Sequence, residues 1–240
     1  CNNFLFVPSA EYDCIQYAID SIEDGDVTKT IIVRPGTYTG LECTGDINPT
    51  TVIDTKGKVV TIRSLRGADV TILQGRDENN PSVAYRGIDI SFQEQRDTVI
   101  DGFTVRGYGN GDAAPFGLYI SGGSGDCSPT IRNCIFTDNT SDIGQDLRDA
   151  AAVYVEGGSP KFENCQFLNN TSTNNRGAAL VSSEANPELY DCLFEGNRSS
   201  LGGGAVFALR NDGDGENATF TDCRFIGNDT KSNVVTANQI

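Results

Sequence analysis

The chain has 240 residues, a length that suits a single domain. Its 33 acidic and 18 basic residues give a formal net charge of −15, which argues against a nucleic-acid partner, because phosphate binding needs a basic face. Histidine is absent, and this excludes every mechanism built on an imidazole base, serine and cysteine triads included. No apolar run is long enough for a spanning helix, so we expect no membrane insertion.

The N-terminal segment 1–27 predicts a cap that contains an amphipathic helix. Its apolar residues recur at helical spacing: Ile15, Ala18, Ile19 and Ile22. The segment leads into TIIVRPGTYTG at 30–40, a strand followed by a Pro-Gly turn. A helix over the open end of a stacked sheet would cover its unpaired edges, so we expect 1–27 to form one domain with residues 28–240.

Two motifs alternate through the second half of the chain. The first reads IRNCIFTDN at 131–139, FENCQFLNN at 162–170, LYDCLFEGN at 189–197 and FTDCRFIGN at 220–228. The second reads AAAVYVEGG at 150–158, GAALVSSEA at 177–185 and GGAVFALRN at 203–211. A period of about 29 residues with short strands and no helix predicts an all-β solenoid whose coils stack on one another, with room for roughly seven.

Stacking in register would place like residues in columns. The cysteine and phenylalanine of C-x-F are two residues apart and so share one face of a strand. They predict an inward core ladder: Cys134, Cys165, Cys192 and Cys223, with Phe136, Phe167, Phe194 and Phe225. The bend before each cysteine predicts a turn ladder of short polar residues that tolerate left-handed backbone: Asn133, Asn164, Asp191 and Asp222.

The eight cysteines divide into two groups. We expect the four ladder cysteines to be reduced, because parallel Cβ vectors make the disulfide torsion awkward. The others lie outside the ladder and are candidates for disulfides: Cys1, Cys14, Cys43 and Cys127. At least one disulfide near the cap is expected for a secreted protein, and the sequence leaves its pairing open.

Six asparagines satisfy the N-x-[ST] pattern for N-linked glycans: Asn139, Asn169, Asn170, Asn197, Asn217 and Asn228. Four of them end the F-x-x-N motif, so their glycans would form a column along one edge of the solenoid. The alternative is that these four are buried turn residues whose amides bond the backbone, where no glycan fits. Asn217 lies in a plainly polar loop and is the expected site under either interpretation.

The densest acidic cluster is NDGDGEN at 211–217. Its alternating carboxylates, Asp212, Asp214 and Glu216, suit a hard cation such as Ca²⁺. Their spacing is not that of an EF-hand loop, and the simpler interpretation is a solvated turn between two coils.

The opening AID…DGD…IIVRPGTY resembles the start of right-handed parallel β-helices of the pectin lyase-like superfamily. The later coils are similar to the repeats of polymorphic outer membrane proteins, which are marked by F-x-x-N and G-G-A-[ILV]. Here F-x-x-N occurs at Phe136/Asn139, Phe167/Asn170, Phe194/Asn197 and Phe225/Asn228, and G-G-A-V at 203–206. The resemblance implies a right-handed parallel β-helix, a fold that hosts enzymes, adhesins and passive structural proteins alike.

The resemblance also implies where chemistry would lie: a groove along one sheet, with carboxylates, Arg or Lys, and often calcium. The segment GTYTG at 36–40 resembles pectin methylesterases, but Gly40 stands where their motif has glutamate. The signatures of polygalacturonases, pectate lyases and alginate epimerases contain histidine, which is absent. The candidate basic residues are Arg86, Arg106, Arg132 and Arg210. They are scattered through the repeats and form no single cluster, so no catalytic residue is assigned.

The sequence therefore predicts a secreted or cell-surface glycoprotein with a structural or adhesive role, as a subunit of a fibre or filament. It requires no cofactor. We expect it to pair with itself or with another β-helix segment by strand addition at the C-terminal end, where NVVTANQ takes the place of the G-G-A-V strand. Two alternatives stay open: a polysaccharide lyase or other carbohydrate-active or carbohydrate-binding β-helix that uses calcium, and a fragment of a bacterial autotransported adhesin.

Overall fold

The computed structural model describes residues 3–23, 29–40, 43, 51–75, 86–109, 116–123, 126–141, 152–173, 176–209 and 218–230. The described part is almost entirely β. Its elements, in chain order, are β1 (Phe4–Val7), α1 (Ile15–Asp20), β2 (Lys29–Val33), β3 (Gly36–Tyr38), β4 (Thr51–Asp54), β5 (Val60–Ser64), a 3-10 turn (Ala68–Val70), β6 (Thr71–Gln74), β7 (Arg86–Ile90), β8 (Val99–Asp101), β9 (Thr104–Arg106), β10 (Leu118–Ser121), β11 (Thr130–Arg132), β12 (Ile135–Thr137), β13 (Thr140–Ser141), β14 (Val153–Glu156), β15 (Lys161–Glu163), β16 (Gln166–Leu168), β17 (Thr171–Ser172), β18 (Leu180–Ser183), β19 (Glu188–Tyr190), β20 (Leu193–Glu195), β21 (Arg198–Ser199), β22 (Val206–Leu209), β23 (Thr219–Thr221), β24 (Arg224–Ile226) and β25 (Asp229–Thr230).

Each strand pairs in parallel with a strand of the next coil. The sheets have these orders: an eight-stranded sheet β1-β2-β5-β8-β11-β15-β19-β23, a seven-stranded sheet β3-β6-β9-β12-β16-β20-β24, a six-stranded sheet β4-β7-β10-β14-β18-β22 and a four-stranded sheet β13-β17-β21-β25. Since the chain visits the sheets in turn and returns one strand further along, it winds as a solenoid. The predicted all-β parallel β-helix is confirmed.

One inward residue from each short strand builds the core. The strands at Lys161–Glu163 and Gln166–Leu168 bury only their middle residue, as the two-residue period of a strand requires. In the eight-stranded sheet the registered inward residues are Ile31, Ile62, Ile100, Ile131, Phe162 and Leu189, all fully buried. Each side chain therefore packs on its equivalents above and below, and the core is a set of columns.

The first three C-x-F copies lie inside the later coils, while in the fourth Cys223 is half-buried and Phe225 is 41% exposed, because the next coil along is outside the described residues. The rings of Phe136, Phe167, Phe194 and Phe225 are stacked, with centroid separations of 5.2, 4.4 and 4.8 Å. These separations follow the spacing between neighbouring strands, about 4.8 Å. The cysteines beside them are free thiols: Cys134, Cys165, Cys192 and Cys223. Burial raises the pKa of the Cys134 thiol to about 12, so it stays protonated as a small apolar core group.

The bend before each ladder cysteine has left-handed backbone. Its φ angles are 53° at Asn133, 51° at Asn164, 52° at Asp191 and 55° at Asp222. The Nδ2 of Asn164 donates to the Oδ1 of Asn133 over 2.9 Å, which links two coils. Asn and Asp tolerate this conformation because their short side chains hydrogen-bond locally.

The F-x-x-N asparagines form a second polar ladder, inside the solenoid. Asn139, Asn170 and Asn197 are fully buried. Their Nδ2 atoms donate to backbone carbonyl groups of the preceding coil: Asn139 to Val105 (3.1 Å), Asn170 to Phe136 (3.0 Å) and Asn197 to Phe167 (2.8 Å). The same nitrogens donate to the Oδ1 of the following asparagine, over 2.9, 2.9 and 2.8 Å.

This burial supports the alternative in which the F-x-x-N asparagines are turn residues that bond the backbone. A glycan on Asn139, Asn170 or Asn197 would replace one of the two Nδ2 hydrogens and so break one of the two donor bonds, and it has no room beside a fully buried amide. The expected glycan column therefore does not fit the structure there. Asn169 is exposed and Asn228 is half-buried. Asn217 lies outside the described residues.

Two of the four candidate cysteines form a disulfide, between Cys14 and Cys43. The expected pairing of Cys127 is corrected, because this residue is a free, fully buried thiol whose Sγ lies 3.5 Å from the carbonyl oxygen of Ile90. Burial and the neighbouring Glu94 carboxylate raise its pKa to about 12. Cys1 lies outside the described residues.

Helix α1 follows Cys14 directly and packs against β1, β2 and β4. It buries Ile15, Ala18 and Ile19 against the solenoid. The Nζ of Lys58 donates to the carbonyl oxygens of Ile19, Asp20 and Ile22, over 2.8, 3.2 and 2.6 Å. A cation at this position stabilises the carbonyl end of the helix, so even a helix this short is firmly tied to the sheets.

Candidate functional site

A column of outward residues crosses the six-stranded sheet. The strand registers place them side by side, one per coil: Asp54, Asp89, Tyr119, Tyr154, Val181 and Phe207. We call this set the outer column. Its aromatic and aliphatic members form an apolar cluster separate from the solenoid core. The outer column therefore begins with two carboxylates and continues as an apolar strip.

Asp89 is the more buried of the two carboxylates, at 9% exposure. Its Oδ2 accepts a hydrogen bond from the Nη1 of Arg86 over 2.5 Å, an ion pair within one strand. Its Oδ1 is also buried and has no hydrogen-bond partner among the described residues. A buried carboxylate oxygen without a hydrogen-bond donor destabilises the folded chain, so a ligand that donates to this atom would gain binding free energy.

Asp54 lies beside Asp89 on the neighbouring strand. Burial raises the pKa of its carboxyl group, and the charges of Asp89 and Glu94 raise it further. Its Oδ1 accepts a hydrogen bond from the backbone N–H of Lys56 over 3.0 Å. Helix α1 holds the Asp54 backbone: the Oε1 of Gln16 accepts from its N–H (2.9 Å), and the Nε2 of Gln16 donates to its carbonyl group (3.1 Å).

An aromatic surface adjoins the carboxylates. The rings of Phe116, Tyr119 and Tyr154 are mutually stacked, with centroids 5.3 to 5.9 Å apart. The guanidinium of Arg86 lies 4.5 Å from the centroid of Tyr119, within cation–π range. Phe116 and Tyr154 are buried, so Tyr119 presents this surface to solvent.

The phenol of Tyr119 connects the column to an open cleft. Its hydroxyl donates to the Oε2 of Glu156 over 3.1 Å. Burial raises the pKa of Tyr119, so the hydroxyl keeps its proton and acts as a donor. Glu156 in turn lines a cleft of about 510 Å³, several of whose lining residues carry carboxylates. The lining residues are Gly123, Asp126, Glu156, Gly157, Gly158, Ser159, Glu184 and Asn186.

The structure separates the candidate bases. Arg86 lies at the outer column. Arg132 pairs with Asp101 on the eight-stranded sheet over 3.0 Å. Arg106 donates to Gln74 near the seven-stranded sheet, over 2.8 Å. These three arginines thus form no shared site, and Arg210 lies outside the described residues.

The acidic cluster expected to bind calcium lies outside the described residues, at Asp212, Asp214 and Glu216. Within the described ranges, no group of three or more Cys, Asp or Glu residues is arranged to hold a metal ion. In the same ranges no helix is long and apolar enough to cross a bilayer. A calcium site stays a prediction.

Sequence reasoning missed the paired carboxylates. They lie in early coils, where the C-x-F motif that sets the register is absent. One signal could have found them: TVID at 51–54 and GIDI at 87–90 both place an aspartate directly after a buried isoleucine. Aligning these two segments puts Asp54 beside Asp89.

The family described as right handed beta helix region matches residues 51–239. No curated protein matches the chain significantly in sequence. Among solved structures, pectin methylesterase PemA from Erwinia chrysanthemi is 14% identical, with a TM-score of 0.60 over 97% of this chain and 67% of that enzyme. A pectin methylesterase in complex with a hexasaccharide is 14% identical, with a TM-score of 0.59 over 95% and 66%. Rice weevil pectin methyl esterase is 10% identical, with a TM-score of 0.54 over 92% and 64%.

The chain thus spans about two thirds of the length of these enzymes. At such low identity the likeness shows a shared fold and nothing about activity. The family match covers most of the chain and agrees with the parallel sheets described above. The chain belongs to the right-handed β-helix family.

Proposed function

We propose that this protein binds a carbohydrate polymer on the outer face of its six-stranded sheet. The observation that carries the proposal is the placement of Tyr119, covered on one side by Arg86, next to the carboxylates of Asp89 and Glu156. These groups lie on one rigid face of the solenoid. The proposal replaces the purely structural role that the sequence favours as the primary function.

The chemistry of these groups suits sugars. The carbon-bound hydrogens of a sugar ring make an apolar face that packs on an aromatic ring, while its hydroxyl groups need acceptors at the ring edge. The exposed edge of the Tyr119 ring supplies apolar contact, and the carboxylates of Asp54 and Asp89 supply acceptors. The cleft beside Glu156 gives a polymer room to extend past the edge of the sheet.

The similar solved structures support this choice of ligand class. They are pectin methylesterases, and one is in complex with a hexasaccharide. A β-helix of this shape thus accommodates a sugar polymer elsewhere in the fold family. The identity of 14% does not carry over the substrate or the reaction, so the proposal for this chain is binding.

Calorimetric titration with neutral, amine-bearing and uronate oligosaccharides tests the proposal. We expect saturable binding of at least one class, and a loss of about two- to tenfold for Tyr119→Ala, because an aromatic contact contributes about 0.5–1.5 kcal/mol. Tyr190→Ala is the matched control. Tyr190 also lies near a cation, Lys161 at 4.9 Å, and bonds a carboxylate, Glu188 at 3.3 Å, but on the eight-stranded sheet.

The proposal fails if no oligosaccharide binds. It also fails if Tyr119→Ala and Tyr190→Ala weaken binding equally, since that result places the ligand on no particular face. Circular dichroism of both variants checks that the solenoid is intact.

A structural or adhesive role is a second candidate. It is supported by the continuous ladders of Phe136, Phe167, Phe194 and Phe225 and of buried asparagines, which make a stiff rod. Strand addition at the C-terminal end stays a prediction, because residues 231–240 lie outside the described part. Electron micrographs of the purified protein distinguish filaments from single particles. The likeness to polymorphic outer membrane proteins, and with it the adhesin-fragment alternative, also stays a prediction.

We further propose that the protein works outside the cell, with a solenoid of seven coils capped by α1. The Cys14–Cys43 disulfide supports an oxidising compartment. The seven-stranded sheet supports the coil number, and the packing of α1 on β1, β2 and β4 supports the cap. N-linked glycans, if the host attaches them, belong at exposed Asn169, which site-resolved mass spectrometry of secreted protein tests.

A further inference from the structure

We infer that the carbohydrate bound at the outer column carries amino groups, so that its chemical class is a hexosamine polymer with free amines and not a polyuronate. The inference rests on the proposed function and adds to it the charge of the ligand. It follows from which hydrogen-bonding groups the site offers and which it has already used.

The site offers acceptors. The Oδ1 of Asp89 is buried and lacks a donor among the described residues. Asp54 lies beside it in register, and its Oδ1 accepts a hydrogen bond from the backbone N–H of Lys56. Glu156, which accepts from the Tyr119 hydroxyl, adds a negative charge next to these two carboxylates. A ligand that fills these acceptors must bring N–H or O–H donors, and an ammonium group brings three of them on one atom.

The cation of the site is already engaged. Arg86 is bound to the Oδ2 of Asp89 at 2.5 Å, and its guanidinium lies 4.5 Å from the Tyr119 ring centroid and 5.9 Å from that of Phe116. A uronate carboxylate at Arg86 would lie beside the buried carboxylate of Asp89, and two like charges at such short range repel each other. The energetics therefore disfavour an acidic sugar.

The surrounding charge has the same sign. The adjoining cleft carries the carboxylates of Asp126, Glu156 and Glu184, and no Lys or Arg is found among its described lining residues. Over the whole chain the formal net charge is −15. The field of such a surface attracts cationic ligands and repels polyanions. This agrees with the local inference from Asp89.

The test is a calorimetric comparison of three hexasaccharides at about pH 6, where a free sugar amine is protonated. The probes are the hexamers of glucosamine, N-acetylglucosamine and galacturonic acid, in buffer with EDTA and moderate salt. We expect the glucosamine hexamer to bind about tenfold more tightly than its acetylated form, the effect of one charge-assisted hydrogen bond. We expect no binding of the galacturonate hexamer.

Two matched variants separate a local contact from a general attraction of charge. Asp54→Asn removes one charge at the site and keeps the oxygen that accepts from Lys56. Asp191→Asn removes one charge at an exposed turn where Asn133 and Asn164 show that asparagine fits. We expect Asp54→Asn to abolish most of the amine preference, and Asp191→Asn to leave it unchanged. Glu156→Gln gives a second site variant in case Asp54→Asn folds poorly.

The outcomes separate this inference from the proposed function. Tighter binding of the galacturonate hexamer, with or without added calcium, overturns the inference and leaves carbohydrate binding standing. So does an amine preference that Asp191→Asn lowers as much as Asp54→Asn does. Failure of all three hexamers to bind overturns the proposed function itself.

Discussion

The side chain of Asn170 shows how one residue joins three coils. Its Nδ2 donates to the carbonyl group of Phe136 (3.0 Å) and to the Oδ1 of Asn197 (2.9 Å). Its Oδ1 accepts from the backbone N–H and the Nδ2 of Asn139, over 3.1 and 2.9 Å. All four of these hydrogen bonds lie in the buried interior. A donor or acceptor that lost its partner there would cost free energy.

Truncation of this amide should therefore destabilise the fold strongly. We expect Asn170→Ala to lower the free energy of unfolding by about 3 kcal/mol, since it leaves buried groups of Phe136, Asn139 and Asn197 without their partner. Asn169→Gly is the control: Asn169 is exposed and has a φ of 53°, which glycine adopts freely. Urea unfolding of protein made in a bacterial host, where no N-glycan is attached, measures both. Equal destabilisation by the two variants would contradict the ladder.

Asp54 should cost stability at neutral pH. Burial, with the charges of Asp89 and Glu94, raises its pKa in the folded chain above the ordinary value of an aspartate, so the folded state binds its proton more tightly than the unfolded state does. Its contribution to stability is then fully present below that ordinary pKa and is lost as the pH rises through the raised folded value.

We therefore expect Asp54→Asn to be more stable than the wild type at pH 7, by less than about 1 kcal/mol because solvent screens a partly exposed carboxyl. The advantage should disappear at acid pH, below the ordinary pKa of aspartate, about 3.9. Thermal unfolding across this pH range measures the difference between the two proteins. A variant less stable than the wild type at pH 7 would show that the charge of Asp54 is favourable in the folded state.

At the scale of elements, α1 completes a sheet edge. Among the described residues β4 is the last strand of the six-stranded sheet, and no described strand pairs with its other side. The side-chain amide of Gln16 takes that place at Asp54 by bonding both its N–H and its carbonyl group. Asp20, one turn further along α1, accepts from Gln16 (3.0 Å) and pairs with Lys56 (2.8 Å). The helix thus fixes the backbone that carries a site carboxylate.

This clamp predicts the exchange rate of one amide. In Gln16→Ala we expect the Asp54 N–H to exchange with deuterium at least tenfold faster than in the wild type, because its acceptor is gone. Gln166→Ala is the control, since Gln166 occupies an outward position on β16. Amide-resolved exchange by NMR gives the rate at Asp54 in all three proteins. An unchanged rate in Gln16→Ala would mean that another group protects this N–H.

The elements also show how far the sequence determines the fold and where it stops. Each copy of C-x-F fixes which residue of a three-residue strand points inward, so the later coils could be predicted from Phe136, Phe167 and Phe194 alone. The early coils lack this marker, and their register depends on Ile53 and Ile88, which any buried strand could carry. For this reason the sequence pattern did not predict that Asp54 and Asp89 lie side by side. The two carboxylates come together only when neighbouring coils stack, and the spacing of residues along the chain does not show this.

At the scale of the whole molecule, the fold is close to one-dimensional. Each coil contacts its neighbours through parallel pairing, so stability is approximately a sum of coil and interface contributions. The four ladder cysteines lie on four successive coils, so the reactivity of each thiol reports the opening of its own coil. Cys134, Cys165 and Cys192 are buried, while Cys223, on the last described coil, is half-buried. Cys223 is therefore the ladder thiol that a reagent should reach first, ahead of the three buried ones.

We expect pulsed alkylation of the native protein near pH 8 to label Cys223 first, Cys192 next, and Cys165 and Cys134 last, because only exposed thiolates react. Cys134 and Cys127, whose pKa values burial raises to about 12, should stay unlabelled until the solenoid opens around them. Phe225→Ala removes the outermost ring of the stack and should speed labelling of Cys223 while leaving Cys134 unchanged. Mass spectrometry of the digested protein follows each site. A single rate for all four ladder cysteines would show that the coils open together, and would refute a picture of independent neighbours along the axis.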